Sequence, residues 1–192
     1  MIQNTKLLLA SKSPRRRQLL GDLGLPISFI DLDVDETIYE EIPPAERAEY
    51  LAKRKAEAYS SDKLEPNQVL VTADTLVVLD AQVLGKPKSR QMAEIMLQGL
   101  SGKKHMVYTG MCLKTATKTV SFTEATSVWF KELSDSEIAY YIDTYKPFDK
   151  AGSYGVQEWI GYIGITRIEG SYFNVMGLPV HRLYSELQDF LK

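Results

Sequence analysis

The sequence predicts a mixed α/β fold, in which a twisted β-sheet carries flanking helices. Helical and strand-like segments alternate along the chain, which is typical of α/β folds. The first strand-like segment, at 7–10, is wholly apolar, as expected of a strand buried within a sheet. Later segments pair across short turns, which predicts antiparallel hairpins and makes the sheet mixed. The 192 residues are expected to form a single domain over 1–192.

A helix start follows the first strand. Ser13 is a good N-cap and Pro14 a good first helical residue, because a capping oxygen accepts from a free backbone N–H and proline has none to satisfy. This helix is predicted to end near 21–24, where two glycines occur. A second strand is expected over 27–32, and it leads into an acidic stretch.

A charged helix and a long strand occupy the middle of the chain. The helix is predicted over 44–59, where apolar residues recur at helical spacing after two prolines. The long strand is predicted over 69–79, and the turn at 80–82 returns the chain as a hairpin. A further helix over 89–100 carries its apolar residues on one face and ends at the serine and glycine of 101–102.

Two long strands and two helices are predicted in the carboxyl-terminal half. The segments 105–115 and 119–130 alternate in polarity and are expected to pair. Ser134 and Glu137 have the spacing of a capping box, which predicts a helix that runs to 145. The remaining predicted elements are a strand near 156, a strand over 163–168 and a helix over 177–191.

The bulk composition excludes several classes of protein. A formal net charge of -2 does not favour a nucleic-acid partner, which would need a broad basic face. The single cysteine, Cys112, permits no internal disulfide and is expected in the core. No apolar run is long enough for a membrane span, so a cytoplasmic protein is expected. His105 and His181 have no nearby Cys or His partners; a zinc site is not expected, and both are placed at the surface or the core edge.

Residues 11–17 form the most informative segment, because they join a buried strand to a helix start. Free N–H groups and the positive end of the helix dipole favour an anion there. Arg15, Arg16 and Arg17 oppose that dipole, and a bound phosphate would relieve the conflict. The alternative is that Ser13 only caps the helix and the arginines are solvated.

Asp74 lies inside an otherwise apolar strand, where an unpartnered carboxylate is costly. A catalytic carboxylate or metal ligand is one explanation, and a strand bulge that turns the side chain to solvent is the other. The acids Asp33, Asp35 and Glu36 suit a hard divalent cation, although taken alone this cluster is expected to be a solvated acidic loop.

Two lysines are candidates for neutralising phosphate. Lys86 lies between a glycine and a proline in a loop after the Asp74 strand, and Lys55 lies on the apolar side of the 44–59 helix. Either side chain could instead extend to water, and for Lys55 this is the expected arrangement. The polar loop 148–157 either closes over a ligand or is an ordinary connection. P-loop, dinucleotide-binding and serine-hydrolase motifs are absent.

Eight segments, in order between about residue 7 and residue 180, together resemble the Maf family, known as septum-formation proteins and as nucleoside triphosphate pyrophosphatases. The segments are LASKSPRR at 9–16, DET at 35–37, LAKRKA at 51–56, ADT at 73–75, LGKP at 84–87, LSG at 100–102 with His105, DKAGSYGVQ at 149–157 and GSYFNVMGLP at 170–179. The resemblance implies a mixed fold like that of inosine triphosphate pyrophosphatases, with two lobes around a cleft, often in a homodimer.

The resemblance also implies site residues. It makes Asp74 the proton acceptor, and it places the chain in the branch that prefers dTTP and UTP. That branch is marked at three positions, which are here Arg15, Thr75 and Gln157. The amide of Gln157 is complementary to a pyrimidine N3–H and its neighbouring carbonyl.

The resulting hypothesis is a pyrophosphatase that releases pyrophosphate from a nucleoside triphosphate substrate. Glu36 and Asp74 bind Mg²⁺ or Mn²⁺ in this hypothesis, and one of them helps to deprotonate the attacking water. Lys55 and Lys86 act with them as catalytic cations. The residues assigned to substrate binding are Ser11, Ser13, Arg15, Arg16, Thr75, Asp149, Lys150 and Gln157. The alternative is a nucleotide-binding regulator of cell division or septum formation with little turnover.

Overall fold

The structure, a computed structural model, describes residues 2–35 and 42–192. The strands in these residues are β1 (Lys6–Ala10), β2 (Ile27–Ile30), β3 (Gln68–Leu79), β4 (Gln82–Leu84), β5 (Lys104–Lys114), β6 (Thr119–Phe130) and β7 (Ile165–Glu169). The α-helices are α1 (Pro14–Gly21), α2 (Pro44–Glu57), α3 (Arg90–Leu100), α4 (Asp135–Tyr145), α5 (Trp159–Gly164), α6 (Tyr172–Met176) and α7 (Val180–Phe190). Short 3-10 helices lie at Ile2–Asn4, Ser61–Lys63, Pro147–Asp149 and Ala151–Ser153.

The described strands form one mixed sheet. Its order is β2-β1-β3-β5-β6-β7, and β4 pairs with β3 as the predicted hairpin. Strand β1 is parallel to both of its neighbours, with Leu7 opposite Ile27 on one side and Val69 on the other. Paired on both edges, β1 is buried from its second residue onward, which explains its wholly apolar sequence. The predicted mixed α/β class is confirmed.

The chain forms two compact units, and strands β3, β5 and β6 contribute residues to both. The first unit comprises the described residues of Met1–Asp74, Thr109–Glu124 and Gly177–Lys192. The second comprises Thr75–Tyr108 and Ala125–Met176. Each unit has apolar core residues of its own.

The core of the first unit is formed where helix α2 packs on the sheet. Ala52 and Ala56, one turn apart on the apolar face of α2, pack with Leu70 of β3 and with Cys112 of β5. The helix comes so close to β5 that a Cβ at Gly110 would lie 2.1 Å from the backbone carbon of Ala48. Glycine at this position is therefore a steric requirement. Cys112 is fully buried as predicted, and burial raises its thiol pKa to about 11.

The core of the second unit lies under helices α3 and α4. Apolar residues of α3 pack with those of α4 and with β6, among them Leu97, Ile142 and Phe130. The predicted capping box is present at the start of α4: the Glu137 N–H donates to the Ser134 hydroxyl at 3.2 Å, and the Ser134 N–H donates to the Glu137 carboxylate at 2.8 Å. The predicted helix end at 145 is also confirmed.

The predicted strand near 156 is wrong, and the strand over 163–168 begins two residues late. Val156 lies in a turn, and helix α5 follows it. The helix starts because the N–H groups of Gly161 and Tyr162 both donate to the Glu158 carbonyl. A Cβ at Gly161 would lie 2.0 Å from the Val156 carbonyl oxygen, so this compact arrangement needs glycine. The apolar, β-branched sequence alone favoured an extended structure.

The segment after β7 also differs from the prediction. Helix α6 was not predicted, and α7 begins at Val180 rather than at 177, because Pro179 is its N-cap residue. In the part of the chain that the structure describes, no helix is both long enough and apolar enough to cross a membrane.

Candidate active site

Helix α1 begins at a turn that two serines hold. The Arg16 backbone N–H donates to the Ser13 hydroxyl oxygen at 3.5 Å, which confirms Ser13 as the N-cap. The Ser13 N–H donates to the Ser11 hydroxyl oxygen at 3.2 Å. These bonds fix the backbone where free N–H groups and the positive end of the helix dipole occur. The turn is therefore suited to an anion.

The arginines of α1 differ in what they contact. Arg17 donates from Nε to the Ser11 carbonyl at 2.9 Å and from Nη2 to the Asp31 carboxylate at 3.1 Å. Its guanidinium also lies 5.1 Å from the centre of the Phe29 ring. Arg17 thus ties the turn to the end of β2. Arg15 is half-buried in the first turn of the helix.

Arg16 connects three segments of the first unit. Its Nε donates to the Gly177 carbonyl at 2.8 Å, and its Nη1 donates to the Ala73 carbonyl at 3.0 Å. Ala73 directly precedes Asp74 in β3. The predicted phosphate ligand therefore supports the backbone that carries the candidate catalytic carboxylate.

Asp74 forms an ion pair with Lys55. The Lys55 Nζ atom lies 2.6 Å from Oδ1 of Asp74, and each side chain is only 14% exposed. Two alternatives from the sequence are thereby wrong: the Asp74 side chain does not turn to solvent, and Lys55 does not extend to water. The ammonium instead offsets the cost of partly burying the carboxylate.

The register of α2 on β3 explains why these two residues meet. The Thr72 hydroxyl donates to the Ala52 carbonyl at 2.6 Å, and Thr72 is fully buried. Thr72 and Asp74 are two residues apart in a strand and share a face, whereas Ala52 and Lys55 are one helical turn apart. The Thr72 bond therefore sets the helix so that its next turn meets the strand at Asp74.

The acidic stretch after β2 is only partly described. The carboxylate of Asp35 lies 4.0 Å from a guanidinium nitrogen of Arg54, and Asp33 is exposed. Glu36, the predicted second metal ligand, lies outside the described residues. Within residues 2–35 and 42–192, no three His, Cys, Asp or Glu side chains come together as a metal-binding group.

Two predicted site loops of the second unit are hydrogen-bonded to each other. The Gly152 N–H donates to the Gly85 carbonyl at 3.1 Å, which joins the loop before Lys86 to the loop after Lys150. Lys86 is exposed, while the next residue, Pro87, is buried and anchors the loop. Thr75, the first residue of this unit, is half-buried in β3.

Lys150 is almost fully buried, which the sequence did not indicate. Its Nζ atom lies 2.7 Å from Oδ1 of Asp149 and 3.1 Å from Oε1 of Glu158. The other carboxylate oxygen of Glu158 accepts a short hydrogen bond from the Tyr141 hydroxyl. The ammonium thus lies between two carboxylates, as expected of a charge that is retained in a protein interior.

Gln157 lies in the turn between Tyr154 and α5. The Tyr162 hydroxyl donates to its backbone carbonyl at 2.6 Å. Its side-chain Oε1 is buried and, among the described residues, accepts no hydrogen bond. A buried acceptor without a donor costs about 1–3 kcal/mol, so a ligand N–H at this atom would be stabilising.

The structure pairs Lys55 with Asp74, supports the Asp74 strand through Arg16, and pairs Lys150 with Asp149. Sequence reasoning missed Glu158 and Tyr141. Tyr141 lies on the apolar face of α4 with Ile138 and Ile142, so its position indicated only a core residue. No signal in the sequence marked Glu158.

His105 was predicted at the surface or the core edge, and this is wrong. It is 2% exposed, its Nε2 lies 2.7 Å from the Tyr154 hydroxyl, and its ring stacks on Phe130. Burial lowers the pKa of His105 to about 4, so the ring is neutral at pH 7. Burial also raises the pKa of the Tyr154 hydroxyl.

The family model described as Maf-like protein matches residues 6–190. The chain belongs to the Maf family. The resemblance carried by the eight sequence segments is therefore confirmed, and the match includes both compact units.

Named Maf relatives are similar over almost their whole length. A dTTP/UTP pyrophosphatase of Bacteroides thetaiotaomicron is 52% identical over 184 residues, which cover 95% of either chain. A dTTP/UTP pyrophosphatase of Porphyromonas gingivalis is 49% identical over 193 residues, covering 98% of this chain and 96% of the relative.

A solved structure shares the fold of this Maf chain. The Staphylococcus aureus Ham1 protein matches with a TM-score of 0.52, covering 96% of this chain and 99% of its own. Only 16% of the residues are identical, so this likeness concerns the fold alone.

Proposed function

We propose that this protein is a nucleoside triphosphate pyrophosphatase that hydrolyses dTTP and UTP to the monophosphate and pyrophosphate. The observation that carries the proposal is the partly buried Asp74 carboxylate, held 2.6 Å from the Lys55 ammonium on strand β3, whose backbone Arg16 supports at Ala73. The names of the relatives, which share about half of their residues with this chain, support the choice of substrate.

Asp74 is the proton acceptor in this proposal. Lys55 donates to Oδ1 and fixes the orientation of the carboxylate, so that a carboxylate oxygen can take a proton from the attacking water. The water attacks the α-phosphorus, the bond to the bridging oxygen breaks, and pyrophosphate leaves. The Lys55 ammonium stabilises negative charge that develops nearby.

The start of α1 binds phosphate in this proposal. Ser11 and Ser13 set the turn, the helix provides its free N–H groups, and Arg15 adds positive charge. Arg16 contributes charge and, through the Ala73 carbonyl, holds the strand that carries Asp74. Exposed Lys86 is a further cation for the phosphates.

A divalent cation fits the donor chemistry of Asp74. Mg²⁺ and Mn²⁺ take oxygen ligands, commonly one or two carboxylates together with substrate phosphates and waters. Asp74 is the described ligand in this proposal, with Glu36, outside the described residues, as the second. When bound, such a cation neutralises phosphate charge and acidifies a bound water.

Gln157 reads the base in this proposal. Its buried Oε1 is an acceptor that an N3–H of uracil or thymine would satisfy, while its NH₂ group can donate to a neighbouring carbonyl. Thr75, Asp149 and Lys150 complete the proposed substrate-binding residues. Lys150 acts here through the carboxylates of Asp149 and Glu158, which it holds together.

The test is pyrophosphate release from UTP and dTTP in the presence of Mg²⁺, with ATP and GTP as comparison substrates. Wild-type protein is expected to prefer the pyrimidines, and Asp74→Asn is expected to lower kcat by about 10²-fold or more in a protein that still folds, which its thermal unfolding curve checks. Turnover by Asp74→Asn close to that of the wild type would exclude Asp74 as the base. Tight UTP binding without pyrophosphate release would support the nucleotide-binding regulator instead.

A further inference from the structure

A carboxylate that the sequence did not mark lies at the centre of the Gln157 turn. Glu158 contacts Lys150 with one oxygen at 3.1 Å and accepts from the Tyr141 hydroxyl with the other. The side chain of Glu158 is 19% exposed, that of Lys150 is 8% exposed, and Tyr141 is fully buried. An interior charge with two such partners has one preferred geometry.

The Tyr141 hydroxyl closes the turn from the other side. It donates to Glu158 and accepts from the Gly155 backbone N–H at 3.0 Å. One hydroxyl can fill both roles because it carries a donor and acceptor lone pairs. Tyr141 stacks on Tyr145 in helix α4, so the hydroxyl is presented by a packed helix. Residues 155 and 158 are thus held at a fixed separation, with Gln157 between them.

Gly155 leaves room for the Gln157 amide beside the Glu158 carboxylate. A Cβ built at Gly155 would lie 3.0 Å from Nε2 of Gln157 and 2.9 Å from Oε2 of Glu158. Nε2, and not Oε1, is thus the amide atom nearest to this position, and Oε1 is the buried acceptor. A flipped amide would place its oxygen on the Gly155 side, where the negatively charged Glu158 carboxylate also lies, which is unfavourable.

We infer that Glu158 and Tyr141 are positioning residues that fix the amide orientation of Gln157 and so select uracil and thymine over cytosine. This inference rests on the proposed function. Uracil and thymine present an N3–H donor to Oε1, whereas cytosine presents an N3 acceptor and an N4 donor that only the flipped amide would match. The fixed orientation discriminates between bases of nearly equal size.

The test compares kcat and KM for UTP and CTP in the wild type, Glu158→Gln and Tyr141→Phe. The wild type is expected to prefer UTP in kcat/KM, and each variant is expected to reduce the UTP-to-CTP ratio about tenfold, mainly through KM. Tyr145→Phe removes a hydroxyl from the stacked neighbour and is the matched control, with a ratio equal to that of the wild type. A merely structural role would lower kcat/KM for both nucleotides alike.

The outcomes separate the inference from the proposed function. A wild-type preference for UTP that both variants retain would overturn the inference alone. No pyrophosphate release from UTP by the wild type would overturn the proposed function, and the inference with it. Melting temperatures are measured for every variant; because Glu158→Gln preserves side-chain shape and Tyr141→Phe preserves the ring, a reduced ratio in either folded variant supports the positioning role.

Discussion

At the scale of single residues, the ion pair of Asp74 and Lys55 and the ring of His105 respond differently to burial. Asp74 and Lys55 share a charge pair in a partly buried place, where removal of one partner leaves the other charge uncompensated. Among the described residues, His105 hydrogen-bonds to the uncharged Tyr154 hydroxyl, and burial keeps its ring neutral. The first pair is proposed to do chemistry, whereas the histidine contributes to the core.

Replacing Lys55 tests whether catalysis depends on its pairing with Asp74 or only on the positive charge of helix α2. We expect Lys55→Met to lower kcat for UTP by about 10²-fold, because the carboxylate loses its orienting donor and the site loses a cation. Lys53→Met is the matched control: Lys53 lies on the same helix, pairs with Glu49 at 3.0 Å and is 48% exposed. Steady-state kinetics check this, and equal losses in the two variants would contradict the specific role of Lys55.

His105 predicts a pH dependence of stability. Its pKa is about 4 in the folded chain against an ordinary value of 6.5, so the unfolded chain binds more protons between these values. The contribution of His105 to the free energy of unfolding is complete above pH 6.5. It decreases as the pH falls towards 4, by about 3 kcal/mol in all. Denaturant unfolding of the wild type and His105→Gln across this range measures it. Parallel curves for the two proteins would contradict the assignment.

At the scale of elements, close backbone approach determines where helices lie. Helix α2 rests on β5 at Gly110, and this contact places the next turns of α2 over β3, where Lys55 meets Asp74. The register bond at Thr72 belongs to the same arrangement. A small change at Gly110 therefore acts on the proposed site through the position of α2.

We expect Gly110→Ala to lower the free energy of unfolding by about 2 kcal/mol or more, because its Cβ would overlap the α2 backbone at 2.1 Å. Gly99→Ala in α3 is the control: there the nearest atom, Leu79 Cδ2, is 3.7 Å away, and alanine favours a helix interior. Urea unfolding compares the two. A Gly110→Ala protein as stable as the wild type would show that the contact is not tight.

The same elements show what a sequence can and cannot reveal. The capping box of α4 and the cap of α1 are local, so Ser134, Glu137 and Ser13 indicated them directly. The pair of Lys55 and Asp74 depends on how a helix docks on a strand, which periodicity does not encode. Each residue could be selected as a candidate, but their contact could not be predicted.

Long-range hydrogen bonds could not be predicted from the sequence either. The Tyr141 hydroxyl reaches Glu158 and Gly155 across the second unit, while its sequence position indicates only an apolar helix face. The strand predicted near 156 failed for a related reason. The segment after Val156 is apolar and β-branched, so its sequence favours a strand. It forms helix α5 instead, because Gly161 has no side chain and lets the Val156 carbonyl approach closely.

At the scale of the whole molecule, two compact units with their own cores are joined by three strands that run through both. The family match and the Ham1-like fold extend over both units. A formal net charge of -2 means that any affinity for a polyanion must come from a local group of cations. The predicted absence of nucleic-acid binding, the homodimer and the cytoplasmic location stay predictions.

Nucleotide binding should stabilise the whole chain. A non-hydrolysable UTP analogue at 100 times its Kd adds about 2.7 kcal/mol of stability, which for a chain of this length corresponds to a rise in Tm of roughly 5–10 °C. The corresponding CTP analogue at the same concentration is the control and should give a smaller shift. Thermal unfolding measures both; equal shifts would contradict base selection in the binding step.

Arg16 links the carboxyl-terminal segment to the strand that carries Asp74. Its single guanidinium donates hydrogen bonds to two carbonyl groups: that of Ala73, next to Asp74, and that of Gly177, shortly before the last helix. Trimming the chain before Gly177 would thus loosen the scaffold behind the reacting oxygen, although no residue beyond that point is proposed to meet the nucleotide. Tags or fusions placed at this end are best attached after α7, where they leave both Arg16 hydrogen bonds intact.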